Sequence, residues 1–194
     1  YFTMFKKIIL HEPLIKKKEI EYVNEALKKG FIANGPYLKK FSETLKKKIK
    51  VNFAIPVVNG TSALHTALIA LNIKANDEIL VPSLTFVATI NAIMYTNAKP
   101  VFMDSDESLN IDLKKTIKFL EKETFYKKKY TYNKKTKSII KAIIIVHTFG
   151  NLVDLQKIYS LCHIKNIRII EDAAESLGSY YKGGKFDKKH PGTI

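Results

Sequence analysis

The sequence predicts an α/β fold: a mostly parallel sheet sandwiched by helices. Three observations carry this. Short apolar, β-branched runs recur along the chain, as Lys141–Val146 and Ile167–Ile170 do, and such runs suit strands buried on both faces. Stretches with helical apolar spacing alternate with them. The connection between the last two runs is long enough for a crossover, so those strands should be parallel.

The elements follow in order. Ile15–Lys29 is an amphipathic helix with Ile15, Ile20, Val23 and Leu27 inward, ended by Gly30. After a linker, Phe31–Gly35, Pro36 opens a second helix with Leu38, Phe41, Leu45 and Ile49 on one stripe. These two helices form an N-terminal helical segment, residues 1–50, before a larger domain over residues 51–194. That domain begins with a strand at Phe53–Val58. Asn59-Gly60-Thr61-Ser62 then turns the chain into a helix, Ala63–Leu71. Glu78–Val81 is a strand stopped by Pro82, Val87–Tyr95 a helix, Lys99–Met103 a strand and Ile111–Glu121 a helix. Phe125–Ser138, FYKKKYTYNKKTKS, reads as an exposed basic insertion. Lys141–Val146 is a strand, and His147–Asn151 breaks it with a glycine. Leu152–Lys165 is a helix with Leu152, Leu155, Tyr159 and Cys162 on its stripe, and Ile167–Ile170 the closing strand. Tyr180–Ile194 is loop-like.

Composition narrows the function. A chain of 194 residues, 46% hydrophobic and 26% charged, builds a sizeable core and is no disordered segment. No apolar run reaches membrane-spanning length, and Tyr1–Leu10 lacks signal-peptide architecture, so the expected setting is cytoplasmic, with no membrane partner. The single cysteine, Cys162, excludes an internal disulfide and reads as packing. The net charge of +15 raises the question of nucleic acid. Arg168 is the only arginine, however, and base recognition leans on the arginine fork. Solvated lysine-rich helix faces explain the charge better; a basic module that binds nucleic acid or another polyanion without catalysis is the alternative. No glycine fingerprint for a dinucleotide or for Walker-type phosphate binding is present, which counts against an oxidoreductase.

The candidate site lies at the carboxyl ends of the strands, where open parallel sheets bind ligands. Asp172 follows the last strand directly. It either caps a short helix over Ala173–Leu177 or holds a cationic group of a ligand, such as a protonated pyridine ring. Gly60, Thr61 and Ser62 open a helix, and such an N-terminus is a ready anion site; the plainer reading is simple capping. Phe86, at a strand-to-helix junction, is either core or a surface on which a flat ring stacks.

Four motifs then occur in a telling order: Gly60-Thr61-Ser62-Ala63-Leu64, Pro82-Ser83-Leu84-Thr85-Phe86-Val87-Ala88-Thr89, Val146-His147-Thr148-Phe149-Gly150-Asn151 and Glu171-Asp172-Ala173-Ala174-Glu175-Ser176. Together they make the chain resemble the DegT/DnrJ/EryC1/StrS sugar aminotransferases, from about the first helix to Ile194. The resemblance implies the large domain of the type I pyridoxal-phosphate-dependent transferase fold, without its C-terminal small domain. It implies pyridoxal 5'-phosphate as cofactor, a nucleotide-linked 4-keto-6-deoxy sugar as acceptor, glutamate as the amino-acid donor, and work in bacterial surface-glycan synthesis by a homodimer. Gly60, Thr61 and Ser62 would hold the cofactor phosphate, Phe86 would stack on its ring, and Asp172 would pair with the ring nitrogen. Glu175 would lie near the phenolic oxygen, where many relatives carry glutamine. Asn34 and Gly35 would lie near the sugar nucleotide. The family's Schiff-base lysine has no match here, so it is expected beyond Ile194, and the chain is expected to be an inactive fragment of a longer protein.

Overall fold

A computed structural model describes residues 12–194; the Tyr1–Leu10 stretch discussed above lies outside the described residues. Helix α1 spans Lys17–Lys28 and α2 spans Pro36–Ile49. Neither buries a residue, so the apolar stripes that define them, Ile20, Val23, Leu27 and Phe41 among them, stay exposed.

The remaining chain builds a six-stranded sheet. Its elements are α3 (Gly60–Ala70), β1 (Glu78–Pro82), α4 (Val87–Tyr95), β2 (Lys99–Met103), α5 (Leu113–Lys122), β3 (Thr124–Lys127), β4 (Tyr130–Asn133), β5 (Ile139–Val146), α6 (Gln156–Ile164) and β6 (Arg168–Asp172). The parallel part runs β2-β1-β5-β6. Pro100 sits on β2, which among the described residues pairs with β1 alone and so tolerates a residue without an N–H.

Side-chain alternation divides the core. Ile79 and Val81 of β1 and Ala142, Ile144 and Val146 of β5 pack with Leu64 and Leu68 of α3 and Ala92 and Ile93 of α4. Leu80, Ile143 and Ile145 point the other way, onto Leu113 and Leu120 of α5 and Ile158 and Cys162 of α6. The expected sandwich, strands mostly parallel and helices on both faces, is what the chain forms. Cys162 is packing: burial pushes its thiol up to about 12, which leaves it inert.

Three expectations need correction. The stripe Ile15, Ile20, Val23 and Leu27, expected to face inward, is exposed. Phe53–Val58 is no strand but an open loop, with Phe53 at 83% and Val58 at 86% exposure. Pro56 removes a donor from this short run, and among the described residues no strand pairs with it. Phe125–Ser138 is no loose insertion: it forms most of the β3–β4 hairpin, and β4 continues the sheet antiparallel to the start of β5. The hairpin turns on Lys128 and Lys129, both at positive φ, which is the geometry of a type I′ turn. Phe125 and Tyr132 stack across it at 5.3 Å. Asn133 Nδ2 donates to the buried Glu78 carboxylate at 2.8 Å and so ties the hairpin to β1.

Candidate functional site

The carboxyl ends of β1, β5 and β6 and the N-termini of α3 and α4 enclose a cleft of about 750 Å³. Gly60, Thr61, Phe86, Asp172 and Glu175 all line it. With Val146–Phe149, which line it too, four separate stretches of sequence meet in one place.

At one end is the start of α3. The Asn59 side chain accepts Ser62 N–H at 2.8 Å, and Ala63 N–H makes the first helical bond, to Asn59 C=O. The N–H groups of Gly60 and Thr61 precede that first bond and are left for a ligand. A Cβ at Gly60 would meet nothing within 4 Å beyond the helix's own backbone, so the protein leaves the space in front of it open. Ser62 starts the helix beside them but does not line the cleft, and its N–H is already taken.

Phe86 is the residue before α4, and it is 79% exposed. The core reading of this ring fails, because the strand-to-helix turn carries it over the cleft instead of beneath it.

Asp172 ends β6 and is half-buried. Its Oδ2 accepts the Thr89 hydroxyl at 3.1 Å and its Oδ1 accepts Ala174 N–H at 3.3 Å. The capping reading of this residue is corrected: Ala173–Leu177 forms turns, not a helix, and the Ala174 bond closes an Asx-type turn. Beneath Asp172, His147 is buried and accepts Val153 N–H at Nδ1, so its Nε2 carries the proton and donates to Glu171 at 3.1 Å. Burial works to raise the Glu171 carboxyl. The His147 bond and the backbone N–H groups of Gly192 and Ile194 outweigh it and hold the group below its ordinary value.

Glu175 is exposed, and its Oε2 accepts Phe149 N–H at 2.6 Å. Phe149 has φ 52°, a left-handed backbone unusual for an aromatic residue, and it too lines the cleft. Asn34 and Gly35 do not line it; Gly35 folds back toward the Phe31 side chain, whose Cβ an added Cβ would meet at 2.8 Å. Thr89, Thr85, Phe149 and His147 are contributors that motif reading passed over. The spacing of Thr85 and Thr89, one helical turn apart, was the available signal.

One cleft thus brings together open N–H groups, a carboxylate and an exposed aromatic ring, a set that suits a flat, phosphorylated, nitrogen-bearing ring. Among the described residues, no cluster of three metal-binding side chains occurs and no helix is long and apolar enough to cross a membrane.

Comparison with known proteins agrees. A model of the DegT/DnrJ/EryC1/StrS aminotransferase family matches residues 13–193. A GDP-perosamine synthase of Escherichia coli O157:H7 is 40% identical over 190 residues, 97% of this chain and 47% of its own length. The UDP-4-amino-4-deoxy-L-arabinose–oxoglutarate aminotransferase of Shewanella sediminis is 33% identical over 180 residues, 92% of this chain and 42% of its own. Among solved structures, the aminotransferase from Psychrobacter cryohalolentis superposes with a TM-score of 0.73 at 30% identity, over 88% of this chain and 40% of that one. The chain therefore spans just under half the length of these relatives.

Proposed function

The chain belongs to the DegT/DnrJ/EryC1/StrS aminotransferase family, and from that premise we propose that it is the cofactor-binding portion of a nucleotide-sugar transaminase. The cofactor is pyridoxal 5'-phosphate, the acceptor a nucleotide-linked 4-keto-6-deoxy sugar destined for a bacterial surface glycan, and the donor glutamate. The Shewanella relative, whose name pairs an amino sugar with oxoglutarate, supports that donor, since glutamate is the aminated form of oxoglutarate. The E. coli relative, named for GDP-perosamine, supports a nucleotide-linked sugar.

One observation carries the reading: Asp172, the open N-terminus of α3 and the exposed Phe86 all line the same cleft. When bound, the cofactor's protonated ring acts as an electron sink for charge formed at the donor's α-carbon. Asp172 would keep the proton on the ring nitrogen by accepting a charge-assisted hydrogen bond from that N–H. Gly60 and Thr61 N–H groups, with the hydroxyl of Thr61, would hold the phosphate, while Ser62, expected from sequence to join them, stands outside the cleft lining, and Phe86 would lie against the ring. Glu175 sits at the phenolic side with one oxygen already engaged by Phe149 N–H. Among the described residues no lysine lines the cleft, which supports a Schiff-base lysine beyond Ile194 and an inactive chain by itself. In the same reading Asn34 and Gly35 approach the sugar nucleotide, and the parent enzyme is a cytoplasmic homodimer. The exposed apolar stripes of α1 and α2 support such a subunit contact.

Pyridoxamine 5'-phosphate tests this cleanly, because it lacks the aldehyde that would react with surface lysines. The chain should bind it, and Asp172→Asn should weaken binding by about tenfold or more, as expected for a lost charged hydrogen bond. Borohydride treatment with pyridoxal phosphate should label no single lysine stoichiometrically. One fully labelled lysine, with turnover of glutamate and a keto-sugar nucleotide, would overturn the placement of the catalytic amine.

A further inference from the structure

We propose that Thr89 is a positioning residue for Asp172, and that the first turn of α4 thereby fixes both the ring-stacking and the ring-nitrogen contacts of the cofactor. The proposal rests on the cofactor reading above.

Thr89 is fully buried inside α4, and its hydroxyl reaches Asp172, 83 residues along the chain. A buried threonine in a helix ordinarily returns its hydroxyl to a carbonyl one turn back. Among the described residues, Thr116 inside α5 does so, bonding Asp112 C=O, and two buried threonines just past helix ends behave alike, Thr96 bonding Ile93 C=O and Thr124 bonding Leu120 C=O. Thr89 is diverted from that habit to a carboxylate.

The direction of the bond is fixed. An ionised carboxylate only accepts, so Thr89 O–H donates to Asp172 Oδ2. Its oxygen is then free to accept the hydroxyl of Thr85, 2.9 Å away. Thr85, Thr89 and Asp172 thus form a polarised relay. The other Asp172 oxygen has only the longer bond from Ala174 N–H. Without Thr89, the plane of the carboxylate would be set by that bond alone.

The same turn carries Phe86. Thr89 N–H bonds Phe86 C=O at 3.1 Å, so the residue that orients the carboxylate also anchors the backbone that presents the ring. A shift of α4 would move both contacts together, which is a reason to build them on one helix end.

The test is a titration of the chain with pyridoxamine 5'-phosphate, using ring nitrogen-15 label. Thr89→Val, nearly isosteric, should weaken binding about tenfold with little change in the unfolding midpoint, and Thr89→Ser should restore it to within about twofold. In Thr89→Val the ring nitrogen-15 signal should leave its protonated position at lower pH than in wild type, an effect loss of packing would not produce. Should Thr89→Val not fold, Thr85→Val is read instead, with about threefold weaker binding expected. If Asp172→Asn weakens binding but Thr89→Val, or its substitute, binds like wild type, the positioning proposal is wrong and the cofactor reading stands. An unchanged nitrogen-15 profile in a weakly binding Thr89→Val also refutes it. If Asp172→Asn and wild type are alike, the cofactor reading fails and the Thr89 proposal falls with it.

Discussion

Replacing Phe86 with alanine separates cofactor binding from folding more sharply than any other single change. The ring is 79% exposed and its residue makes no side-chain cap for α4. Its φ of −64° and ψ of 140° suit any residue. Truncation therefore removes almost no buried area, and folding stability should change by no more than about 0.5 kcal/mol. The ligand-free protein should not register the loss.

Binding should. Stacking of an aromatic side chain on a flat heteroaromatic ring is worth about 1–3 kcal/mol by alanine substitution, which is roughly a five- to 150-fold rise in Kd. Phe86→Tyr keeps the π face and should bind within about twofold of wild type. Phe86→Leu keeps apolar area without the face and should fall between. The assay pairs a pyridoxamine phosphate titration with urea unfolding of the ligand-free chain. Wild-type affinity in Phe86→Ala would show that the ring does not contact the cofactor. A stability loss above about 1.5 kcal/mol would show that Phe86 is a core residue after all.

Other expectations follow from the same geometry. Ile144→Ala, at a fully buried position facing α3 and α4, should cost about 2–5 kcal/mol in a denaturant titration. Lys128-Lys129→Asn-Gly should stabilise the hairpin by about 1 kcal/mol, because both lysines hold positive φ, and thermal unfolding would record it. The Glu171 carboxyl lies below its ordinary value of 4.5 in the folded state. Its contribution is therefore present above that value and lost as the pH falls through the folded one. The unfolding midpoint of wild type should drop over that acid range, while Glu171→Gln should be less stable near neutrality and flatter below pH 4.5.

Apolar runs such as Lys141–Val146 were legible because they pack on both faces, and an unbroken β-branched stretch of that length has few other uses. Phe53–Val58 has similar composition and failed, since a strand also needs a neighbour, and composition cannot say whether one exists. The hairpin was hidden because Lys-Lys is no turn signal; cross-strand stacking of Phe125 on Tyr132 and the Asn133–Glu78 bond hold a turn that local sequence does not favour. In the site, Asp172 and Phe86 announce themselves by their places at or after strand ends, and Gly60 by its place at a helix start. Thr89 does not, because a threonine within a helix gives no hint of where its hydroxyl goes.

The loop after β5 shows what an acid at position 175 does for the fold, where the family resemblance leads one to expect glutamine. Each N–H from His147 to Asn151 has a partner: Asp172 C=O for His147, Asn110 Oδ1 for Thr148, Glu175 Oε2 for Phe149, His147 C=O for Gly150 and Thr148 C=O for Asn151. Asn110 is itself buried and also donates to Asn151 C=O, so the β2–α5 connection clasps the loop from behind. The left-handed Phe149 costs roughly 1–2 kcal/mol, and a charge-assisted bond from its N–H to Glu175 can offset that. Gly150 must stay a glycine here, with φ 81° and a Cβ that would meet Glu175 C=O at 3.1 Å. A glutamine at this position could accept the same N–H through its amide oxygen and donate its NH₂ toward a phenolic oxygen. Glutamate keeps the first contact and gives up the second. In this chain Glu175 accordingly holds the Phe149 loop against the cleft through that bond.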